Sequence, residues 1–334
     1  MAHGLEERNG RIEAAFAGQV PWHGLGMQTQ QRMAPMEALT LAGIDWEVKK
    51  FPTFFQSGPD NRLTQVPENF ATVRTDTMEP LGSVGPLYTV LQNREQAEFI
   101  EALVGKGAVV ECVGALFGGK RIFWTVKSPA DMIVKDDRYE DRVKKYLILY
   151  NSHDGSGSFR AFWNPVRVVC NNTLKIALGN TSDGVCIRHT RSIKARMSEA
   201  ERLLGMAKQF YENAQITFDA MAAKELDRRD FTQYLDAVFG SEVDEEGKPV
   251  KKVQEIKSEV AANLEAEQHA TGKQNVTLWD AWNAITFKTS HAMSSRKTRR
   301  LQKDGERKFD SVLFGAGDKL RKKSFTAALS VLSN

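Results

Sequence analysis

The stretch from residue 146 to residue 190, YLILYNSHDGSGSFRAFWNPVRVVCNNTLKIALGNTSDGVCIRHT, decides the fold of this chain. Residues 146–150 and 158–163 are rich in aromatic and β-branched side chains, which predicts two strands. The residues between them include His153-Asp154-Gly155, and an Asp-Gly pair favours a tight turn. We therefore expect a β-hairpin at the start of the stretch.

A helix and a further strand are predicted in the rest of the stretch. Pro165 predicts the first turn of a helix over residues 166–178, because a proline at that position loses no hydrogen bond. Residues 185–190 predict another strand. The stretch thus supplies part of a sheet with one helix packed on it.

The residues before this stretch predict more of the same sheet. Gly118-Gly119 joins the β-rich segments 108–117 and 120–127 and can adopt the positive φ angles of a two-residue turn. Asn93 is expected to cap a helix, with Gln96 completing a capping box. Residues 131–145 are expected to be a charged, solvated insert. Further strand candidates are residues 46–55, 70–76 and 87–91.

After residue 192 the pattern changes to helices. The helical segments are residues 198–221, 230–239, 250–268, 277–288 and 319–332. In the fourth, Trp279 and Trp282 share one face and are expected to pack this helix on the preceding half. The expected fold class is α+β. An antiparallel sheet with packed helices (a strand-strand-strand-helix unit) spans residues 1–191, and an all-α region spans residues 192–334.

The composition limits the class of protein and its location. The chain has 334 residues, of which 41% are hydrophobic and 26% charged, as in soluble globular proteins. It has no run of eighteen apolar residues, so no membrane span is predicted. The first eleven residues lack an apolar signal core, and three unpatterned cysteines indicate a reducing compartment. These features predict a cytoplasmic protein.

The net charge of +4 hides two segments of opposite sign. Residues 288–323 contain twelve Lys and Arg against four Asp and Glu, whereas residues 219–246 contain nine acidic residues against three basic ones. A basic segment on a near-neutral body is typical of a protein that binds a polyanion. A solvated helix face would give the same composition.

Basic residues also surround the hairpin, helix and strand of the deciding stretch. Phe159, Phe162 and Trp163 lie among them. Cations that follow a phosphate chain, together with aromatic rings that stack on bases, suit single-stranded nucleic acid. Alternatively, the aromatic residues belong to the core and the arginines are paired. The predicted nucleic-acid contacts are Lys120, Arg121, Arg160, Arg167, Arg188, His189, Arg191 and Lys194.

A polar cluster in the same stretch keeps a catalytic alternative open. Its members are His153, Asp154, Asn171 and Asn172. Neighbours in sequence rarely reach the geometry of a catalytic triad, and a turn explains His153-Asp154 equally well. The alternative is an enzyme acting on nucleic acid or a nucleotide, with His153, Asp154 and His189 in a cleft. No second pair of metal-ligand spacing accompanies Cys186 and His189, so neither a metal nor another cofactor is predicted.

Five spaced motifs resemble the DUF932 family, phage- and plasmid-like proteins of undetermined function. The resemblance covers nearly the whole chain, and one departure is Phe287-Lys288, where an acidic or aromatic pair is expected. The motifs are Trp22-His23-Gly24-Leu25-Gly26, Ser152-His153-Asp154-Gly155, residues 165–174 (PVRVVCNNTL), Arg188-His189-Thr190 and residues 279–286 (WDAWNAIT).

The resemblance implies a protein of a mobile element in a bacterial host cell. The order of predicted elements is also similar in outline to Rad52-type single-strand annealing proteins, which form rings or filaments around a positive groove. We therefore expect a DNA recombination factor that binds single-stranded DNA, forms a homo-oligomer and acts without catalysis. A third hypothesis is an interaction protein that counters a host defence.

Overall fold

The computed structural model describes twelve ranges of the chain. They are residues 7–8, 11–17, 27–29, 33–59, 61–104, 109–128, 131–136, 139–167, 172–173, 184–197, 207–289 and 316–333. Within these ranges the fold is α+β, with antiparallel sheets in the first half and helices in the second. The predicted fold class is confirmed.

The strands form a large sheet, a three-stranded sheet and one short pair. They are β1 (Glu7–Arg8), β2 (Arg11–Ile12), β3 (Ala14–Ala17), β4 (Met27–Thr29), β5 (Val48–Ser57), β6 (Arg62–Arg74), β7 (Pro80–Val84), β8 (Val109–Leu116), β9 (Arg121–Lys127), β10 (Met132–Asp136), β11 (Tyr139–Ser152), β12 (Phe159–Arg167), β13 (Asn172–Thr173) and β14 (Gly184–Ile187).

The large sheet, here the central sheet, has the strand order β13-β12-β11-β9-β8-β3-β4, with β10 beside β11 and β14 beside β12. β3 and β4 run parallel, and the other pairs are antiparallel. β5, β6 and β7 form the three-stranded sheet, and β1 pairs with β2.

The helices within the described ranges pack on two separate cores. They are α1 (Pro35–Ala42), α2 (Asn93–Val104), α3 (Ala207–Ala223), α4 (Arg228–Phe239), α5 (Lys251–Thr271), α6 (Leu278–Phe287) and α7 (Ala316–Ser333). The first core lies between α1, α2 and one face of the central sheet. The second joins α3 to α7 with β10 and the first half of β11.

The α6 helix lies at the centre of the second core. Thr277 and Asp280 cap it reciprocally, and Trp279 and Trp282 are both buried. The Trp279 indole Nε1 donates a hydrogen bond of 2.9 Å to Asp141 on β11. The prediction that the two tryptophans pack this helix on the first half of the chain is therefore confirmed for Trp279, whereas Trp282 packs against Phe218 on α3 and Phe325 on α7.

Both predicted hairpins are present. Gly118 and Gly119 join β8 to β9 with φ angles of 73° and 87°. A side chain at residue 119 is also excluded by contact, because a Cβ there would lie 2.9 Å from the ring of Trp46. The turn at residues 153–158 joins β11 to β12, as the Asp-Gly pair indicated.

The helix predicted from residue 166 is wrong for the residues that the structure describes there. β12 runs through Pro165 to Arg167, and residues 172–173 form β13; the rest of the predicted helix lies outside the described residues. The physical reason is the length of β11, which pairs with β12 as far as Val143. Pro165 is tolerated in β12 because it lies between the residues that pair with β14 (159–162) and those that pair with β13 (166–167). A missing backbone N–H costs little at that position.

Two other sequence expectations are corrected. Residues 131–145 are not a solvated insert: they form β10 and the start of β11, and Met132, Val134 and Val143 are buried in the second core. Residues 87–91 form no strand, and the third strand of the small sheet lies earlier, at residues 80–84. In both places the local composition did not reveal which distant strand would pair with the segment.

Candidate nucleic-acid interface

Three segments meet at one end of the central sheet. The backbone N–H of His153 donates to the carbonyl of Lys120, at 2.7 Å, and so joins the two hairpin turns. The Tyr88 hydroxyl donates to the carbonyl of Ser152 at 2.8 Å, and the N–H of Thr89 donates to the carbonyl of His189 at 3.1 Å. The segment before α2, through Tyr88 and Thr89, therefore connects the hairpin turns to the residues that follow β14.

His153 lies completely buried below this surface. The Asn93 amide Nδ2 donates to the carbonyl of Ile44 at 2.8 Å, so Asn93 Oδ1 faces His153 Nε2, also at 2.8 Å. Because that oxygen only accepts, Nε2 carries the proton and Nδ1 is the unprotonated nitrogen. Burial, reinforced by the nearby His189, lowers the pKa of His153 to about 3. His153 is therefore neutral at physiological pH.

Asn93 has this role because it does not cap α2. The residue before the helix is Gln92, whose backbone N–H donates to Glu95 at 2.9 Å. The prediction of Asn93 as the cap is wrong by one residue, and the side chain of Asn93 points inward to His153 instead. A capping box shifted by one residue has the same local sequence signal, since Glu95 can serve as the third helical residue as well as Gln96 can.

His189, predicted to contact nucleic acid, is also buried. Its Nδ1 donates to the carbonyl of Thr89 at 3.1 Å, and its ring stacks on Tyr88 with 4.7 Å between ring centroids. Burial lowers the pKa of His189, although the bond to Thr89 opposes this. The ring therefore supports the surface from below, and the flanking Arg188 and Arg191 are the exposed residues.

A buried arginine, Arg74, completes the support and was not predicted from the sequence. Arg74 donates two hydrogen bonds to Glu13, at 2.8 and 3.0 Å, and two to Asp76, at 2.7 and 3.1 Å. Its guanidinium lies 4.1 Å from the ring of Trp46. Burial acts to lower the pKa of Arg74, but the hydrogen bonds with the two carboxylates outweigh it and raise the pKa above its ordinary value. Arg74 is consequently a structural cation.

Asp154 closes the turn between β11 and β12. It accepts hydrogen bonds from the Ser152 hydroxyl at 2.5 Å and from the N–H and hydroxyl of Ser156 at 2.9 and 2.6 Å. Burial acts to raise its pKa, but these bonds and the charge of Arg121 hold the pKa below its ordinary value. A Cβ at Gly82 would lie 2.4 Å from the Asp154 carbonyl oxygen, so β7 packs directly against this turn.

The predicted basic contacts divide into exposed and engaged residues. Lys120, Arg188 and Arg191 are exposed, and none forms an ion pair with a residue of the described ranges. Lys194 is exposed but pairs with Glu95 at 2.5 Å. The exposed cations lie on the segments that the three backbone and tyrosine bonds hold together.

Arg121 and Arg160 share one face of the central sheet. Arg121 lies opposite Ser152 of β11, and Arg160 lies opposite Tyr150 of the same strand. Because Tyr150 and Ser152 are two residues apart on β11, the two arginines point to the same face of the sheet. Both are partly buried, and the Arg121 guanidinium lies 4.6 Å from the Phe117 ring. They lie beside the exposed cations at the same end of the sheet.

The other predicted site residues are not placed at the end of the central sheet where the hairpin turns meet. Arg167 is seven residues from Arg160 on β12, about 23 Å along an extended strand. Asn172 pairs with Arg167 on β13, so its backbone is also at the far end. Asn171 lies outside the described residues. The polar cluster is therefore divided, with His153 and Asp154 at one end of the sheet and Asn172 at the other.

Lys50 is a further cation at the interface and was not predicted from the sequence. The Lys50 ammonium donates to the carbonyls of Gly85, Pro86 and Tyr88 at 3.3, 2.9 and 2.9 Å. Burial lowers the pKa of Lys50, and the positive charge of Arg191 lowers it further. Two like charges are thus held close together, an arrangement that a bound anion would stabilise.

The aromatic residues predicted to stack on bases belong to the core. Phe159 is fully buried and contacts Phe99 edge-on at 5.4 Å between ring centroids. Phe162 is buried, and Trp163 packs against Tyr211 at 5.6 Å. The alternative interpretation, that these three aromatic residues belong to the core, is therefore correct.

The described ranges lack two other kinds of feature, a metal-binding cluster and a membrane-spanning helix. These ranges contain no group of three or more His, Cys, Asp or Glu residues placed to hold a metal ion. Among their helices, none combines the length and the apolar character needed to cross a membrane.

Comparison with known proteins gives one match. The model of a family described as a domain of unknown function, DUF932, matches residues 80–313, which is more than half of the chain. The matched region includes both hairpin turns, His189 and the exposed cations at residues 120, 188 and 191. No curated protein and no solved structure matches the chain, so the outline similarity to Rad52-type proteins gains no support.

Proposed function

The chain belongs to the DUF932 family, whose function is undetermined, and we propose that it binds single-stranded DNA on the surface formed by the two hairpin turns and residues 188–194. The observation that carries the proposal is the group of exposed cations without ion pairs in the described ranges, Lys120, Arg188 and Arg191. Positive groups at neighbouring positions are what a phosphate backbone requires, and they dominate its affinity.

The support below this surface makes it suitable for a rigid contact. Arg74 is paired with two carboxylates, Glu13 and Asp76, and His153 and His189 are neutral, so the layer below the surface adds no net positive charge. Backbone and tyrosine hydrogen bonds hold together the segments that carry the exposed cations, and these cations remain available to an anion. Lys50, held by three carbonyls next to Arg191, extends the positive surface toward β5.

The proposed activity is binding without catalysis. His153 is completely buried and so does not reach a bound chain. Asp154 accepts three hydrogen bonds from the serines of its turn at Oδ1, and because these bonds lower its pKa, Asp154 is a weak base. Such a protein would hold a single strand for annealing in recombination, in the cytoplasm of a bacterial cell carrying a phage or plasmid.

A titration with labelled oligonucleotides tests the proposal. Fluorescence anisotropy with single- and double-stranded DNA should show single-strand binding that weakens as salt rises. Replacing Lys120, Arg188 and Arg191 together by alanine removes up to three phosphate contacts. The slope of log K against log salt should then fall by about 2, at roughly 0.7 per contact on a single strand.

The control is a triple alanine variant of exposed cations on the helices, at Arg229, Lys251 and Lys252. It carries the same change of charge and should retain the affinity and the salt slope of the unmodified protein. Absence of single-strand binding at low salt, or equal losses in the two triple variants, would refute the proposed surface.

A further inference from the structure

The outer part of the β5–β6 hairpin is a two-stranded ribbon without a third strand. Residues 54–57 of β5 pair with residues 62–65 of β6, and this ribbon, residues 54–65, is here called the arm. A register shift after Pro52 separates the arm from the three-stranded part of the sheet, and β7 pairs only with β6 residues 70–73. In the described ranges, no strand therefore borders either edge of the arm.

The arm exposes large apolar side chains on both faces. Phe54 is 53% exposed and Leu63 is 67% exposed. These two share a face, because Leu63 pairs with Gln56, two residues along β5 from Phe54. Phe55, on the other face, is 50% exposed. An isolated two-stranded ribbon is marginally stable in water, so a partner that covers these side chains would stabilise the arm.

The charge of the arm indicates which partner covers it. Its charged residues are Asp60 and Arg62, so its formal net charge is zero. A phosphate backbone gains little from a neutral surface, whereas a second copy of the arm meets no repulsion from it. The open β6 edge adds a row of backbone groups that can pair with an identical strand.

We propose that the arm binds the arm of a second copy of this chain, with β6 antiparallel to β6 around a two-fold axis. The result is a four-stranded ribbon in the order β5-β6-β6-β5. Such an interface is self-complementary, as a two-fold axis requires. Phe54 and Leu63 of both copies then form one apolar cluster on a single face of the ribbon.

The exposed area suits a modest interface. Phe54, Phe55 and Leu63 together expose about 340 Å², taking roughly 200 Å² for each whole side chain. A standard interface buries about 800 Å² on each partner. The arm therefore supplies the apolar centre, the backbone and polar groups around it supply the remainder, and assembly should depend on protein concentration.

Sedimentation of the full chain without nucleic acid tests this interface separately from the proposed DNA binding. The unmodified protein should assemble as its concentration rises, and Leu63→Glu should weaken that assembly at least 100-fold, because each dimer would bury two new charges. The matched control is Ile216→Glu on α3, where an equally exposed apolar residue lies away from the arm. The control should assemble like the unmodified protein.

A crosslinking measurement confirms the location if assembly is observed. In a Cys186→Ser background, Leu63→Cys treated with a short bismaleimide should give a covalent dimer, and Ile216→Cys should not; Cys186 is replaced because it is exposed. A monomer at all concentrations, or assembly that Leu63→Glu leaves unchanged, overturns the proposal. DNA binding that persists in monomeric Leu63→Glu would show that the two surfaces are independent.

Discussion

The buried His153 should make the stability of the fold depend on pH between neutrality and pH 5. Its pKa falls from 6.5 in the unfolded chain to about 3 in the folded one, so in this window the unfolded chain binds the extra proton. Stability is therefore lost as pH falls below 6.5. Linkage with these two pKa values gives a loss of about 2 kcal/mol from pH 7 to pH 5.

The informative perturbation is His153→Gln. The glutamine amide can still donate to Asn93, as His153 Nε2 does at 2.8 Å, but it takes up no proton. His189 and all carboxylates are present in both proteins, so their contributions cancel in the comparison. The unmodified protein should lose about 2 kcal/mol more than the variant between pH 7 and pH 5, whatever the stability of the variant at pH 7.

Urea unfolding at pH 7, 6 and 5 provides the measurement, with the slope m compared between proteins to confirm that the same transition is followed. His269→Gln is the control, because His269 is exposed at the end of α5 and should show the pH dependence of the unmodified protein. If His153→Gln had that same dependence, the argument from buried, neutral His153 would be refuted.

Two further substitutions test the packing around the site. Gly82→Ala places a Cβ within 2.4 to 2.8 Å of the Asp154 backbone and should lower the free energy of unfolding by roughly 2 kcal/mol, whereas Gly85→Ala, which meets nothing within 4 Å, should leave it nearly unchanged in thermal unfolding. Glu13→Ala removes one carboxylate from the buried Arg74 and should cost about 3 kcal/mol in urea unfolding; a cost near zero would show that Asp76 suffices.

Several elements followed from the sequence because their causes are local. Gly118-Gly119 and Asp154-Gly155 specified two turns through their own backbone preferences, and the strands on either side formed as predicted. Thr277 and Asp280 likewise specified the start of α6 within a single helical turn. In each case the residues that determine the conformation are adjacent in the chain.

The segment after Pro165 shows where local preference fails. Proline suits the first turn of a helix and also a gap in a β-ladder, and the choice was made by β11, whose residue Lys145 lies opposite it. Phe159 was ambiguous in the same way, since an aromatic residue near arginines suits both a stacking surface and a core. Only the position of α2 against the sheet placed it in the core.

The sequence by itself determined the α+β class, the two hairpin turns and the basic residues that flank them. The tertiary structure decided which of those residues are exposed and which are buried. His153 is neutral because Asn93, 60 residues earlier, meets it inside the fold, and Arg74 is neutralised by Glu13, 61 residues away. Turn chemistry acts between neighbours in the chain, whereas burial and charge pairing depend on segments that only folding brings together.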